Sequence, residues 1–595
     1  MPSPGISEHQ TSGRVKSVAT GALVVLLDRA PEAVQDWPGS KDVRPGGFSS
    51  SRVSGWGVAG EAAPWDRQMI ADLRSDVLPE SLDTDVCVVG AGPVGITLAV
   101  ELSRRGRDVV LLESGGRSID PALQDLYRST NVGRNHNGIN LGRYRAFGGT
   151  STQWGGQILP FGRMDFERRD WVEGSGWPIT FDDLESYYLK ALGFEGLDGC
   201  LTDDPKVWTA IGLHNPTYEA GIVSHFSRWC PEPDFAKIHG KEIEGSAWVR
   251  CILYATVTAL SCVNERIVTA HARTLGGKSI RVKARRFAFC VGGIESARLL
   301  LQPLEDQTPP PWTMRCDALG RFFQDHPTFE CADIKPRNAA ALHRLMDMIY
   351  FRGFKYQPRL YLSPTRQREL RSLNAGGIVL FKTEISTLVL HQVRVAASGL
   401  LRGPLSAGAV AEAVRSGVRA GPLVAKQAWR YLVHKRAFNP DDRGYRLLAF
   451  VEQAPDPRSR LTLSDETDAF GMRRAQLDWR VGQAEVDTLE GFARSVKTAF
   501  EKCGLAEVAV DPLVAARDPA VLDWTWDNYH NMGTARMADS PVRGVVDRSL
   551  RIFGSSNGYV CSTAVFPTGS FSNPTHTAIA LALRLADDLC SETAT

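Results

Sequence analysis

Apolar residues first become continuous at Thr84-Asp-Val-Cys-Val-Val89, a run without the alternation of a half-exposed strand. Runs of this kind are buried on both faces of a parallel sheet. From Pro93 to Arg105 the apolar positions Val94, Leu98 and Leu102 recur at helical spacing, and Asp108 to Leu112 is a second buried strand. Strand, helix and strand in succession predict a β-α-β unit. Downstream, Arg250 to Ala288 alternates strand-like runs (Ile252-Leu-Tyr254 and Arg281-Val-Lys283) about a Gly276-Gly277 turn. It leads into Arg286-Phe-Ala-Phe-Cys-Val-Gly-Gly293, a strand ending in glycines, ahead of a helix over Ser296 to Gln302. The tail from Thr577 to Leu589 reads as an amphipathic helix with Ile579, Leu583 and Ala586 inward.

Two stretches depart from this pattern. Residues 1–68 are rich in Gly, Ser and Pro without periodicity, as in Asp42-Val-Arg-Pro-Gly-Gly-Phe-Ser-Ser-Ser-Arg52. They are expected to form a disordered, dispensable extension, with the compact fold beginning near Met69. Residues 391–436 read as helical and lopsided. Arg394, Arg402, Arg415, Arg419, Lys426, Arg430, Lys435 and Arg436 face the single acid Glu412. A solvated helical face is the simplest reading; a docking surface for an electron acceptor, an anionic substrate or a membrane surface is the sharper one.

Composition narrows the class. The 595-residue chain is 43% hydrophobic and 23% charged, with net charge +2, so it is globular and gives no reason to expect a nucleic-acid partner. Its 11 cysteines are scattered without a C-x-x-C pair. That argues against zinc sites, dithiol centres and a disulfide framework, and no metal is expected. No apolar run is long enough to span a bilayer. Arg14 and Lys16 precede the apolar stretch Val18 to Leu27, but no small-x-small cleavage site follows before Asp28. A cytoplasmic protein with reduced thiols is the expectation.

The chemistry starts at Gly90-Ala-Gly92-Pro-Val-Gly95, between the first strand and its helix. Gly90 makes a tight turn, Gly92 lets backbone approach a pyrophosphate, and Gly95 lets helix and strand pack closely. The helix N-terminus then faces the phosphates. Glu113 ends the second strand, where a carboxylate can hold ribose hydroxyls. This fingerprint predicts a dinucleotide but does not choose between FAD and NAD.

Four further blocks make that choice. They are Gly148-Gly-Thr-Ser-Thr-Gln-Trp-Gly-Gly156, Cys290-Val-Gly-Gly-Ile-Glu-Ser-Ala-Arg-Leu-Leu300, Gly320-Arg-Phe-Phe-Gln-Asp-His-Pro327, and Tyr529-His-Asn-Met-Gly-Thr-Ala-Arg-Met537 followed by Asn573-Pro-Thr-His-Thr577. With them the chain resembles the glucose-methanol-choline (GMC) oxidoreductases from about residue 80 to the end. It is most similar to the bacterial branch of pyranose oxidase-like enzymes and sugar or polyol dehydrogenases. The resemblance implies an α/β (α+β overall) fold: a Rossmann-like FAD-binding domain and a substrate domain on an antiparallel sheet. The FAD-binding domain would be discontinuous, 69–330 and 526–595 with an insert at about 157–245; the substrate domain would span 331–525. It also implies FAD contacts at Gly149, Thr150, Ser151, Gln153, Gly155, Gly156, Val257, Gly292 and Thr575.

By the same resemblance His530 is the base that takes a hydroxyl proton while flavin takes the hydride, and Asn573 hydrogen-bonds the substrate oxygen. His326 and His576 read as structural, and Arg536 with Asp547 as a charge pair near the flavin. Two departures stand out. Gln153 occupies the place of a histidine that tethers flavin in some members, so FAD is expected to be non-covalent, with His136 the fallback tether. Cys561-Ser-Thr-Ala-Val-Phe566 replaces a more glycine-rich stretch beside the flavin. The reading is therefore a FAD-dependent oxidoreductase acting on a CH–OH group of a sugar, glycoside or aminocyclitol-like polyol. Its acceptor is left open among oxygen, a quinone and a cytochrome. Alternatives are a non-redox lyase on the same fold, or oxidation of a sterol or choline-like alcohol.

Overall fold

The computed structural model describes residues 69–384, 422, 423 and 425–591. Residues 1–68 and most of the basic stretch 391–436 lie outside them.

The run at Thr84 is the centre of an eight-stranded sheet. Its strands lie in the order Ile70–Asp72, Val249–Leu253, Val109–Leu112, Ser81–Val89, Ser279–Phe289, Arg266–Arg273 and Thr256–Val263, with Gly558–Val560 beside Ser279–Phe289. Pairing is parallel except for the two strands at the Thr256–Val263 edge. Val86 to Val89 and Val109 to Leu112 are buried throughout, because helices close the faces of the parallel part. Pro93–Arg104 packs against the final helix Thr575–Ser591, which in turn packs on Asp182–Phe194. This sandwiching explains why the final helix is buried far beyond its expected stripe: every residue from His576 to Leu583 is inaccessible.

A second eight-stranded sheet is antiparallel. Its order is Ala506–Val510, Thr328–Pro336, Tyr445–Val451, Ala375–Phe381, Phe354–Leu362, Ile222–Trp229 and Gln157–Ile158, with Ile349–Phe351 beside Phe354–Leu362. The stretch 157–245 thus contributes two strands to this sheet, which is wider than residues 331–525 alone. Helix Gln483–Lys502 lays Val486, Leu489, Phe492, Val496 and Phe500 on one face of the sheet, against Leu360, Leu362 and Leu447. Each such side chain contributes on the order of 1.5–3 kcal/mol by leaving water. The other face of the sheet stays partly polar and looks toward the loop 567–573.

Residues 425–434 form a helix, as expected for the end of the basic stretch. Two of the cations expected at the surface are drawn inward. Arg430 pairs with the buried Asp347, and Arg436 is itself buried.

Candidate active site

The glycine fingerprint forms the turn its spacing requires. Gly90 has φ +99°, and a Cβ there would lie 2.8 Å from the Cys290 carbonyl oxygen. At Gly95 a Cβ would stand 1.9 Å from the Gly90 oxygen, so the helix can dock on the turn only without a side chain. Gly92 caps Pro93–Arg104 without a side-chain bond, which leaves first-turn N–H groups for phosphate oxygens. Glu113 is buried, with one carboxylate oxygen accepting from Ala91 N and the other from Gly115 N, both at 2.8 Å. Burial outweighs those bonds and raises its pKa. Each oxygen keeps a lone pair for a ribose hydroxyl.

One cleft joins these groups to the proposed chemistry. Its wall includes Gly90, Gly92, Glu113, Gly149, Thr150, Ser151, Val257, Gly292, Thr575 and His530. Tight turn, uncapped helix and buried carboxylate fit a dinucleotide, and these are the residues that would hold FAD. Gly95, Gln153, Gly155, Gly156 and Asn573 are not part of the wall. Gln153 ends the turn Gly149–Thr152, and Gly156 (φ +71°) packs on Pro233 and Cys230. Arg143 and Arg145 also line the cleft, held by Glu295, whose carboxyl their charges and that of Arg298 draw down to about 2 against its burial.

His530, on the cleft wall, meets Asn573 behind it, with Asn573 Nδ2 3.4 Å from His530 Nε2. The sequence placed His326 among structural residues, but its Nδ1 lies 2.8 Å from His530 Nδ1, while its Nε2 lies 3.1 Å from the Gly569 carbonyl. A carbonyl only accepts, so His326 carries its proton on Nε2. Its bare Nδ1 then accepts from His530 Nδ1–H, and His530 is left with an unprotonated Nε2 next to Asn573. Burial, then the neighbouring His326, lower the His530 imidazole to about 3 against the pull of Asp325. Burial likewise lowers His326, opposed by Asp325 and the Gly569 carbonyl.

Behind the pair stands Asp325, which sequence reasoning also missed. Its carboxylate accepts from the backbone N–H of His326 (2.6 Å) and of His530 (3.1 Å) and lies 2.9 Å from His136 Nε2. Burial pushes Asp325 up, but the His136 hydrogen bond and the three histidines together hold it below the usual carboxylate value. His136, Asp325 and Asp527 bring ligand atoms within 4.8 Å of one another, a cluster invisible in chain spacing. Asp527 is taken up by the backbone N–H groups of Asn137 and Gly138, so the group works as a hydrogen-bonded buttress. The signal available for both misses was the block Gly320 to Pro327, which contains Asp325-His326.

Three other expectations are corrected or refined. Arg536 does not meet Asp547: it donates to the Gly174 carbonyl and stacks on Phe322 at 4.3 Å, while Asp547 pairs with Arg551. His136, the fallback tether, is fully buried between Phe323 and Trp479 and lies off the cleft wall. His576 packs as expected, stacked on Tyr188 with Nδ1 2.8 Å from Glu195.

Comparison with known families bears directly on this site. A model of the GMC oxidoreductase family matches residues 455–582, which include His530 and Asn573, and a FAD binding domain model matches 83–121, which include the glycine fingerprint and Glu113. The region around His530 and Asn573 is thus similar to the GMC oxidoreductases, and the first β-α-β unit to FAD-binding domains. The chain is 22% identical to the fructose dehydrogenase large subunit of Gluconobacter japonicus, over 86% of the chain and 99% of that protein. It is 22% identical to a 2-methyl-1,2-propanediol dehydrogenase of Mycolicibacterium austroafricanum (85% and 94% covered). To a 6'''-hydroxyparomomycin C oxidase of Streptomyces lividus it is 23% identical (86% and 92% covered). Among solved structures, an Aspergillus oryzae RIB40 formate oxidase matches at TM-score 0.49 and 16% identity, over 87% of this chain and 99% of that one.

Proposed function

We propose that this oxidoreductase oxidises a CH–OH group of a sugar, polyol or glycoside. When bound, FAD supplies the hydride acceptor. His530 Nε2 takes the hydroxyl proton, and Asn573 Nδ2 donates to the same oxygen as negative charge develops on it. As His530 becomes cationic, its Nδ1–H stays anchored on His326, and the Asp325 carboxylate stabilises the charge. The observation that carries this reading is the tautomer chain from the Gly569 carbonyl through His326, which leaves the base nitrogen bare beside Asn573. The substrate class is supported by relatives that carry fructose, a diol and a paromomycin derivative in their names.

FAD is held non-covalently, a reading supported by Gln153 and by the burial of His136. Oxygen, a quinone or a cytochrome reoxidises it. The eleven free cysteines fit a reducing cytoplasm, and the cations of 391–436 beyond Arg430 and Arg436 are the candidate docking face for an acceptor or a membrane surface. The test is an anaerobic screen of sugars, polyols and their carboxylic acids against the FAD-loaded enzyme. Loss of the oxidised flavin absorbance with members of this class supports the reading, and an oxidised spectrum throughout refutes it.

A further inference from the structure

We infer that Arg359 and His225 form a carboxylate-binding subsite beside His530, so that the alcohol oxidised is one that carries a carboxylate. This rests on the alcohol oxidation proposed above and narrows its substrate.

Arg359 lies on strand Phe354–Leu362, directly across from His225 on Ile222–Trp229. Alternation puts Gln357, Arg359 and Tyr361 on the face opposite Leu360 and Leu362, which pack under helix Gln483–Lys502. Arg359 is only 5% exposed. Its Nη2–H donates to Gln157 Oε1 at 2.8 Å, and its guanidinium lies 5.1 Å over the Phe450 ring. Gln157 is fixed in that orientation, because its Nε2 donates to Ser227 Oγ and Gln357 Oε1, both at 2.7 Å. Arg359 Nε and His225 Nε2 are both buried without a partner.

A buried guanidinium is costly unless an anion meets it. Arg169, equally buried, has one: both its terminal nitrogens reach the Glu452 carboxylate at 2.7 Å. Among the described residues no carboxylate makes an ion pair with Arg359. The fold has prepared donors and withheld the acceptor. A carboxylate supplies two coplanar oxygens, which suit the guanidinium fork, and His225 in its Nε2–H tautomer adds a donor from the next strand.

The subsite lies against the loop that carries Asn573. The Phe571 ring lies 5.7 Å from His225 and 5.9 Å from Tyr361, two residues before Asn573. The charge on Arg359 also contributes to holding down the pKa values of His530 and His326. A cationic aminocyclitol would meet repulsion here, whereas a polyol acid would not.

The test is calorimetric titration of the FAD-loaded enzyme with acetate, and separately with inorganic phosphate. We expect acetate to bind wild type, to bind roughly 10- to 100-fold more weakly to Arg359→Gln, the loss typical of a charged hydrogen bond, and to recover in part with Arg359→Lys. Should Arg359→Gln fold poorly, His225→Gln is expected to weaken acetate binding as well. Absence of acetate binding, equal binding to Arg359→Gln, or binding of phosphate alone overturns the assignment. The anaerobic alcohol screen is read separately. Acetate binding that depends on Arg359, with no alcohol reducing the flavin, keeps the subsite and refutes alcohol oxidation; flavin reduction without acetate binding does the reverse.

Discussion

His326 Nδ1 stands 2.8 Å from His530 Nδ1, a contact in which one imidazole must donate and the other accept. The Gly569 carbonyl at His326 Nε2 decides which. His326 therefore orients the His530 ring and leaves the lone pair on Nε2, the atom 3.4 Å from Asn573 Nδ2.

Removing that anchor leaves the base free to adopt the wrong tautomer. His326→Ala is expected to slow flavin reduction at saturating alcohol by roughly 10- to 100-fold, the range for groups that orient a functional histidine. Half-saturation should change little and flavin content should match wild type. Rapid mixing with an alcohol found in the screen checks this; an unchanged limiting rate would show that the tautomer does not matter.

The pH dependence follows from the same packing. Burial and His326 lower His530 to about 3, and only the neutral form accepts a proton. The limiting rate of flavin reduction should therefore be flat from about pH 8 down to about pH 5, falling only as the pH nears the shifted value. A decline centred near ~6.5, the ordinary imidazole value, would mean that His530 is solvated in the working enzyme.

Asp325 holds the loop that carries His530. Asp325→Asn would leave a single acceptor oxygen where both oxygens of the buried carboxylate now accept from backbone N–H groups. Replacing one partner in a buried charged network costs about 3–5 kcal/mol. A clear drop in Tm by calorimetry is expected, and an unchanged Tm would contradict the buttress described above.

FAD should leave the protein on acid precipitation, because Gln153 offers no nucleophile and His136 is sealed between Phe323 and Trp479. Yellow colour retained in the washed pellet would point to a covalent bond elsewhere.

Much of this was legible in the chain. The run at Thr84 and the glycines after it specify a buried strand and a tight turn on local grounds alone, and Gly90 and Gly95 sit where any Cβ would collide. His530 and Asn573 were readable through motif resemblance. What stayed hidden depends on contacts between distant segments. His326 meets His530 across 204 residues of chain, and His136 meets Asp325 across 189. Arg536 and Asp547 look paired in sequence, yet each finds a nearer partner. Gln357, Arg359 and Tyr361 alternate along their strand as solvent-facing residues do, yet Arg359 is buried and the Phe571 ring lies against Tyr361.

The most direct test of the account is rapid-mixing flavin reduction in His530→Ala. The variant should bind FAD normally, since the glycine fingerprint is untouched, and should reduce it roughly 100- to 10,000-fold more slowly than wild type, as expected for loss of a positioned base. Asn573→Ala should lose less, up to about 3–4 kcal/mol for one hydrogen-bond donor to a developing oxyanion. A near-wild-type rate in flavin-loaded His530→Ala would contradict the account.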